Sequence, residues 1–303
     1  MDKILITGGG GFIGRSLIKN LLSKKMKIRI FDIIKSSHNN ELIENDYVGS
    51  ILDPYELTKA VRGCDYVVHL AASLGVQNTE TNRLQCLFIN IQGIINVLEA
   101  CAKENVKKII FASSSEVYGE QNTTSISEEA PLNPKSNYAV SKLAGEEYVR
   151  AYAEAYGFEY NIIRFFNVYG INQRPDFVLP SFINNIKNNK NLNIFGDGKQ
   201  VRSFCNVDDA TNGIIKILLE AKNKETYNVG NDSEPISMID LAKKVINISK
   251  KKLEINFIPY EKSDRNVNRE IFKRIPNINK VINDIGYKPT VNLDDGIKKL
   301  LEE

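Results

Sequence analysis

Short β-branched runs alternate with longer amphipathic stretches through the first half of the chain. Lys3–Thr7, Lys27–Phe31, Tyr66–Leu70, Lys108–Ala112 and Tyr160–Phe165 read as strands. Gly14–Ser23, Pro54–Val61, Arg83–Glu104 and Tyr138–Tyr156 carry helical periodicity between them. Such alternation is a βαβ series, and it predicts an α/β fold on a parallel, doubly wound sheet. Beyond Asn167 the rhythm loosens. A helix is expected at Val178–Asn188, a turn at Gly196-Asp197-Gly198, a helix from about Asp208 to Ala221, a short strand at Thr226–Val229 and a helix at Met238–Ser249. These elements predict a smaller, less regular lobe. The Asn/Lys-rich stretch Asn184–Asn193 still alternates with apolar residues and reads as a solvated helix end and loop. No internal repeat is present.

Composition narrows the function more than the fold. The 303 residues, 42% apolar and 25% charged, suffice for one large domain or two intimate ones with a sizeable core. A formal charge of +3, dispersed along the chain, is no electrostatic footprint for nucleic acid. The cysteines Cys64, Cys86, Cys101 and Cys205 lie far apart and away from His38 and His69, which argues against a metal site or a disulfide framework. The start Met1-Asp2-Lys3-Ile4 has no basic n-region followed by an apolar core, as a signal peptide would. No window reaches the ~18 uninterrupted apolar residues of a membrane span. A reduced, cytoplasmic setting without membrane or nucleic-acid partners is the expectation.

The first strand runs directly into Gly8-Gly9-Gly10-Gly11-Phe12-Ile13-Gly14. Glycines at 8, 11 and 14 fit a spacing variant of the dinucleotide fingerprint: Gly8 for the tight turn, Gly11 for close approach of backbone N–H groups to a pyrophosphate, Gly14 for helix–strand packing. The second strand leads into Asp32, 24 residues after Gly8, near the offset of an acid that holds the adenosine ribose. No Arg stands directly beside Asp32 to accept a 2′-phosphate, so NAD is preferred to NADP. Further on, Lys108–Ala112 is followed by Ser113-Ser114-Ser115-Glu116-Val117-Tyr118-Gly119, and 24 residues after Ser114 comes Tyr138-Ala139-Val140-Ser141-Lys142. Tyr and Lys at i and i+4 share a helix face, and a cation beside a phenol favours the phenolate, which would make a base available at neutral pH. Taken alone, that spacing is common on plain helix surfaces. His69, at the end of an apolar strand, reads as structural.

Together these residues resemble the extended short-chain dehydrogenase/reductases, specifically the NAD-dependent nucleotide-sugar epimerase/dehydratase group. The resemblance covers nearly the whole chain and continues through His69-Leu70-Ala71-Ala72, Asn90, Arg164-Phe165-Phe166-Asn167-Val168-Tyr169-Gly170, the segment Gly196–Phe204, Tyr227-Asn228-Val229-Gly230 and Gly286-Tyr287-Lys288-Pro289. It implies a Rossmann-type domain over residues 1–168, to which about 203–231 return, and a substrate lobe from 169–202 and 232–303. It implies that Tyr138 removes the proton of the sugar C4-hydroxyl, that Lys142 lowers its pKa and binds the nicotinamide ribose, and that Ser114 hydrogen-bonds the same hydroxyl. Glu116 joins these as a catalytic candidate. Cofactor contacts are implied at Gly8, Gly11, Phe12, Ile13, Gly14 and Asp32, at Ser50, Ile51, Leu70, Ala71 and Ala72, and at Phe165, Tyr138 and Lys142. Substrate contacts are implied at Ser114, Ser115, Asn167 and Arg202. Arg265, Arg269 and Arg274 compete for a second phosphate contact, and Arg274 fits the family spacing best.

Two departures bear on the reaction. Gly49-Ser50-Ile51 stands where the family has Gly-Asp-Ile, which weakens the adenine contact at Ser50. Ser115-Glu116 replaces the Asp-Glu pair of the 4,6-dehydratases, which disfavours loss of water. Ser-Ser-Glu is similar to the Thr-Ser-Glu of UDP-glucuronate decarboxylases. Epimerisation at C4 makes the fewest chemical demands and is the preferred expectation, with C4 dehydrogenation, decarboxylation and dehydration as alternatives. A redox-sensing regulator on an inactive fold is the alternative of another class, and the retained Ser114, Tyr138 and Lys142 argue against it. The resemblance further implies a homodimer through a four-helix bundle built by Arg83–Glu104 and Tyr138–Tyr156. The substrate is expected to be a nucleotide diphosphate sugar, with the nucleotide and the sugar both open. Loops such as Leu74–Thr81 and Asn172–Val178 are expected to shape the sugar pocket.

Overall fold

In the computed structural model, which describes residues 2–36, 38–75, 81–262 and 270–303, side chains of the first strand, Lys3–Thr7, divide between two cores. Ile4 and Ile6 point into one and Leu5 into the other, as the two-residue repeat of a strand requires. This strand lies inside a seven-stranded sheet ordered Glu225–Val229, Glu159–Phe165, Lys108–Ser114, Tyr66–His69, Lys3–Thr7, Lys27–Asp32, Ile43–Val48. Every neighbouring pair is parallel. Burial on both faces explains why the inner strands are apolar throughout. Helices Phe12–Ser23 and Val207–Glu220 cover one face, and Pro54–Val61, Arg83–Lys103 and Asn137–Tyr156 cover the other.

The strand order reverses between Lys3–Thr7 and Tyr66–His69. At such a switch point the loops leaving the carboxyl ends diverge and open a crevice for a ligand.

The expected strands and helices are present with ends moved by a few residues. The first helix starts at Phe12, because Gly11 in extended conformation (φ −75°, ψ 176°) serves as its N-cap. The edge strand Ile43–Val48 was not expected: its sequence Ile-Glu-Asn-Asp-Tyr-Val contains no buried residue. Arg83–Lys103 is long and apolar enough to cross a membrane by length and composition, yet half of its apolar window is buried and packs on the sheet. Lys108 begins a central strand with its side chain buried, and its ammonium donates to the carbonyls of Ile217 (3.2 Å) and Leu218 (3.4 Å). It thereby satisfies the negative end of helix Val207–Glu220.

A second core joins helices Val178–Lys187, Met238–Ser249 and Leu293–Glu302 through Leu179, Phe182, Leu241, Val245 and Ile297. Leu192–Phe195 pairs in parallel with Ile255–Ile258 at its edge, so the Asn-rich stretch ends in a strand. Between the parts of this lobe the chain returns to the main sheet through Cys205–Asn206, Val207–Glu220 and Glu225–Val229. The segment around Ile278–Tyr287, assigned to the lobe from sequence, packs instead on the main core. Ile278, Val281, Ile285 and Tyr287 are buried there beside Ile214, Tyr227 and Val229.

Candidate active site at the switch point

A cavity of about 990 Å³ runs from the glycine loop, past the carboxyl ends of the central strands, to the second lobe. At its first end Gly8 adopts φ +76°, and a Cβ there would lie 2.6 Å from Ala71 N. A Cβ on Gly14 would lie 2.2 Å from Gly8 O. Only glycines allow this loop and helix to pack so closely. Helix Phe12–Ser23 has neither a side-chain cap nor an acid in its first turn. Its positive end is therefore available to an anion in the cavity, which fits a pyrophosphate. Asp32 accepts from Gly10 N (2.9 Å) and Ile34 N (3.1 Å) and lines the same space, as a ribose acceptor must. Gly11, Phe12, Ile13, Ser50, Ile51, Leu70, Ala71, Ala72 and Phe165 line it too. The carbonyl of Ile51 is held by Asn96 Nδ2 at 2.9 Å, and Ser50 Oγ accepts from Leu52 N at 3.2 Å.

Midway along the cavity stand the reactive candidates. Helix Asn137–Tyr156 begins at Ser136, whose Oγ accepts from Ala139 N (3.0 Å) and donates to Glu116 Oε2 (3.1 Å). One turn apart on it, Tyr138 and Lys142 face the end of strand Lys108–Ser114. Lys142 Nζ lies 5.8 Å from the Tyr138 ring centroid and donates to Ala112 O at 2.7 Å. The Ser114 hydroxyl stands beside the Tyr138 phenol and favours its ionised form. Asn90 ties this helix to the loop after Tyr66–His69, donating to Ser141 Oγ (2.9 Å) and accepting from Ser73 N (2.7 Å).

The electrostatics correct one expectation. Burial pushes the Tyr138 phenol above its ordinary range, Glu116 and Cys86 push it further, and Ser114 and Arg274 oppose them too weakly. Burial also lowers Lys142 to about 8, against Cys86 and Glu146. Burial therefore works against the phenolate, while Lys142, at about 8, still carries its proton near neutral pH. Desolvation is the largest influence on each group. His69 is buried, contacts Thr7 Oγ1 through Nδ1 at 2.7 Å and is lowered to about 3 by burial and the Lys142 charge, which leaves it neutral.

The far end of the cavity holds two arginines, each paired with a carboxylate. Val201–Arg202 and Lys273–Arg274 are neighbouring parallel strands whose register sets Arg274 beside Arg202. Arg274 Nη2 donates to Asn167 Oδ1 (2.7 Å), and its Nη1 lies 3.5 Å from Glu116 Oε1. Arg202 Nη2 pairs with Glu270 Oε1 at 2.9 Å. Burial lowers Arg202 to about 10, and the like charge of Arg274 adds to the effect. Two adjacent guanidiniums with multiple donors suit a diphosphate. Asn167 holds Ser203 O at 3.1 Å from a left-handed backbone (φ +37°). Ser115 is buried and lines the cavity beside Glu116. Arg265 and Arg269 lie outside the described residues, as does most of the Leu74–Thr81 loop. Among the described residues no cluster of His, Cys, Asp and Glu could hold a metal ion.

Among the cavity-lining residues that sequence reasoning did not assign are Arg15, Ser136, Arg174 and Glu270. Arg15 follows the last motif glycine and donates to Gly10 O at 2.7 Å. Ser136 is visible in sequence only as a helix cap. Arg174, inside the expected pocket loop, bonds Leu74 O (3.2 Å) and Asp176 (3.1 Å). Glu270 belongs to no motif, and only folding reveals its pairing with Arg202.

Residues 4–230 match the NAD dependent epimerase/dehydratase family. A crystal structure of UDP-glucuronic acid 4-epimerase from Bacillus cereus, in complex with UDP-glucuronic acid and NAD, superposes with a TM-score of 0.90 at 32% identity, covering 99% of this chain and 98% of that one. UDP-N-acetyl-alpha-D-glucosaminuronate decarboxylase of Bacillus cytotoxicus is 33% identical over 99% of this chain and 97% of its own. Human dTDP-D-glucose 4,6-dehydratase is 32% identical over 99% of this chain and 89% of its own.

Proposed function

Because the chain belongs to the NAD-dependent epimerase/dehydratase family, whose members act on nucleotide sugars, we propose that it is a nucleotide-sugar 4-epimerase. One observation carries this reading. Ser114, Tyr138 and Lys142 meet between the dinucleotide cradle and the Arg202–Arg274 pair, with no carboxylic acid at position 115 to expel water. The neighbouring Glu116 is engaged by Arg274 and Ser136, an arrangement suited to orienting the site rather than to acting as a free base.

Gly8–Gly14 and the start of helix Phe12–Ser23 would hold the NAD pyrophosphate, and Asp32 the adenosine ribose. When bound, NAD supplies the two-electron redox chemistry. The residues do the rest. Tyr138 takes the C4-hydroxyl proton and later returns it. Ser114 hydrogen-bonds both that oxygen and the phenol. Lys142 stabilises the phenolate once formed. The arginine pair fixes the diphosphate, so that only the hexose is free to turn.

The test is incubation with a panel of nucleotide sugars, read by mass spectrometry and NMR. Inversion at C4 with unchanged mass supports the reading. Loss of water, carbon dioxide or two hydrogens replaces it with dehydration, decarboxylation or dehydrogenation. We further propose a homodimer through helices Arg83–Lys103 and Asn137–Tyr156, which expose Leu84 (84%), Phe88 (58%) and Val140 (43%) on their outer faces. Large apolar side chains at i and i+4 on an exposed helix suit a partner helix.

A further inference from the structure

Helix Asn137–Tyr156 carries a third ionisable group in line with Tyr138 and Lys142. Glu146 follows Lys142 by one turn and is fully buried. All its acceptor positions are directed. Ser113 Oγ donates to Oε1 at 2.6 Å, Arg164 Nε to Oε1 at 2.9 Å, Arg164 Nη2 to Oε2 at 2.6 Å and Arg150 Nη2 to Oε2 at 3.2 Å. Arg164 lies in strand Glu159–Phe165, and the sheet register sets it opposite Ser113. Its Nη1 continues to the Tyr118 hydroxyl (2.9 Å), which donates to Asn228 Oδ1 at 2.7 Å. One carboxylate thus binds two adjacent strands to the helix bearing the reactive pair, directly behind Ser114. Such a buried ion pair adds little net stability over apolar packing, whereas it fixes geometry strictly.

We propose that Glu146 is a positioning residue for the reaction: through Ser113 it sets the Ser114 hydroxyl beside the Tyr138 phenol, and its carboxylate is fixed one helical turn from Lys142. The charge effect follows from proximity. Lys142 is faced by Ala112 O and the Phe111 ring from its strand, by Cys86 from helix Arg83–Lys103, by neutral His69, and by Tyr138 and Glu146 from its own helix. Of these, Cys86 and then Glu146 oppose the cost of burial, and Glu146 is the carboxylate among them.

The proposal rests on the reading that Ser114, Tyr138 and Lys142 do the chemistry. Its two arms fail separately from that reading. In the first, kcat and KM are measured on the turned-over sugar for Ser113→Ala, Ser113→Thr and Lys59→Ala. Ser113→Ala, which keeps the Glu146–Arg164 pair, lowers kcat ~10-fold or more with KM within about twofold. Ser113→Thr restores most of it, and Lys59→Ala, on the far helix Pro54–Val61, leaves it unchanged. In the second, which needs no substrate, Lys142 is titrated by NMR of 13Cε-labelled lysine, assigned with Lys142→Met. Glu146→Gln moves its midpoint to lower pH, and Ser113→Ala leaves it in place. Wild-type kcat in Ser113→Ala, or an unmoved midpoint in folded Glu146→Gln, overturns the proposal. If Glu146→Gln does not fold, the Ser113 pair alone decides.

Discussion

Gly14→Ala separates cofactor binding from folding. The added methyl would sit 2.2 Å from Gly8 O and 2.7 Å from Gly9 Cα, where ordinary contact begins at 3.4 Å, so the loop and helix must part by 1.2 Å. Gly8 has no room to retreat, because its own Cβ direction is closed by Ala71 N at 2.6 Å. The start of helix Phe12–Ser23 must therefore move, although Leu17, Ile18 and Leu21 hold its other face in the core. Overpacking of this kind costs ~1–3 kcal/mol, and replacing a helical Gly by Ala returns up to ~1 kcal/mol, which leaves a net loss of about 0–3 kcal/mol. Losing even one charge-assisted N–H contact to the pyrophosphate costs about 1.5–3 kcal/mol, or roughly 10- to 100-fold in affinity. Calorimetric titration of NAD+ into nucleotide-free protein, with urea unfolding alongside, measures both. A Kd within about twofold of the wild type would refute the role assigned to this loop.

Three further outcomes are expected. Lys142 is lowered from 10.5 to about 8, so between these values the unfolded chain binds more protons at this position and its contribution to stability rises with pH. Lys142→Met removes a rise of about 3 kcal/mol across that window, and parallel urea-unfolding curves for the two proteins against pH would contradict the assignment. Arg202→Ala breaks a buried pair with Glu270 at the anion site and raises the KM of the nucleotide sugar by roughly 10- to 100-fold with little change in kcat; an unaltered KM places the diphosphate elsewhere. Phe88→Glu puts a charge on the proposed dimer face, and sedimentation equilibrium shifts from dimer to monomer; a wild-type protein that is monomeric at micromolar concentration excludes that interface.

Much of the cofactor-binding half was legible in the residues because each signal there is local. Gly8 and Gly14 are dictated by contacts with backbone only a few residues away or across one sheet neighbour, and the apolar strands announce their burial on both faces. Tyr138, Lys142 and Ser114 were found for the same reason: a helical repeat and a strand end place them. What escaped depends on tertiary pairing. The edge strand Ile43–Val48 has no buried face to mark it. The segment Ile278–Tyr287 follows lobe residues in sequence and packs on the main core through contacts such as Tyr287 Oη with Gly230 O at 3.0 Å. The phenolate expectation came from helical spacing, which cannot register how far burial disfavours both charges. Glu146 and Arg15 stand at readable distances from Lys142 and Gly14, but that spacing does not reveal the pairing of Glu146 with Arg164 on another strand, or of Glu270 with Arg202.

The central claim is that one enzyme-bound sugar is oxidised at C4 and reduced again at the same carbon. Incubating the protein with a UDP-hexose deuterated at C4, and reading the product by NMR, tests it most directly. The account predicts the inverted C4 epimer with deuterium still at C4. Loss of the label from that position, or a product lighter by water or carbon dioxide, would contradict it.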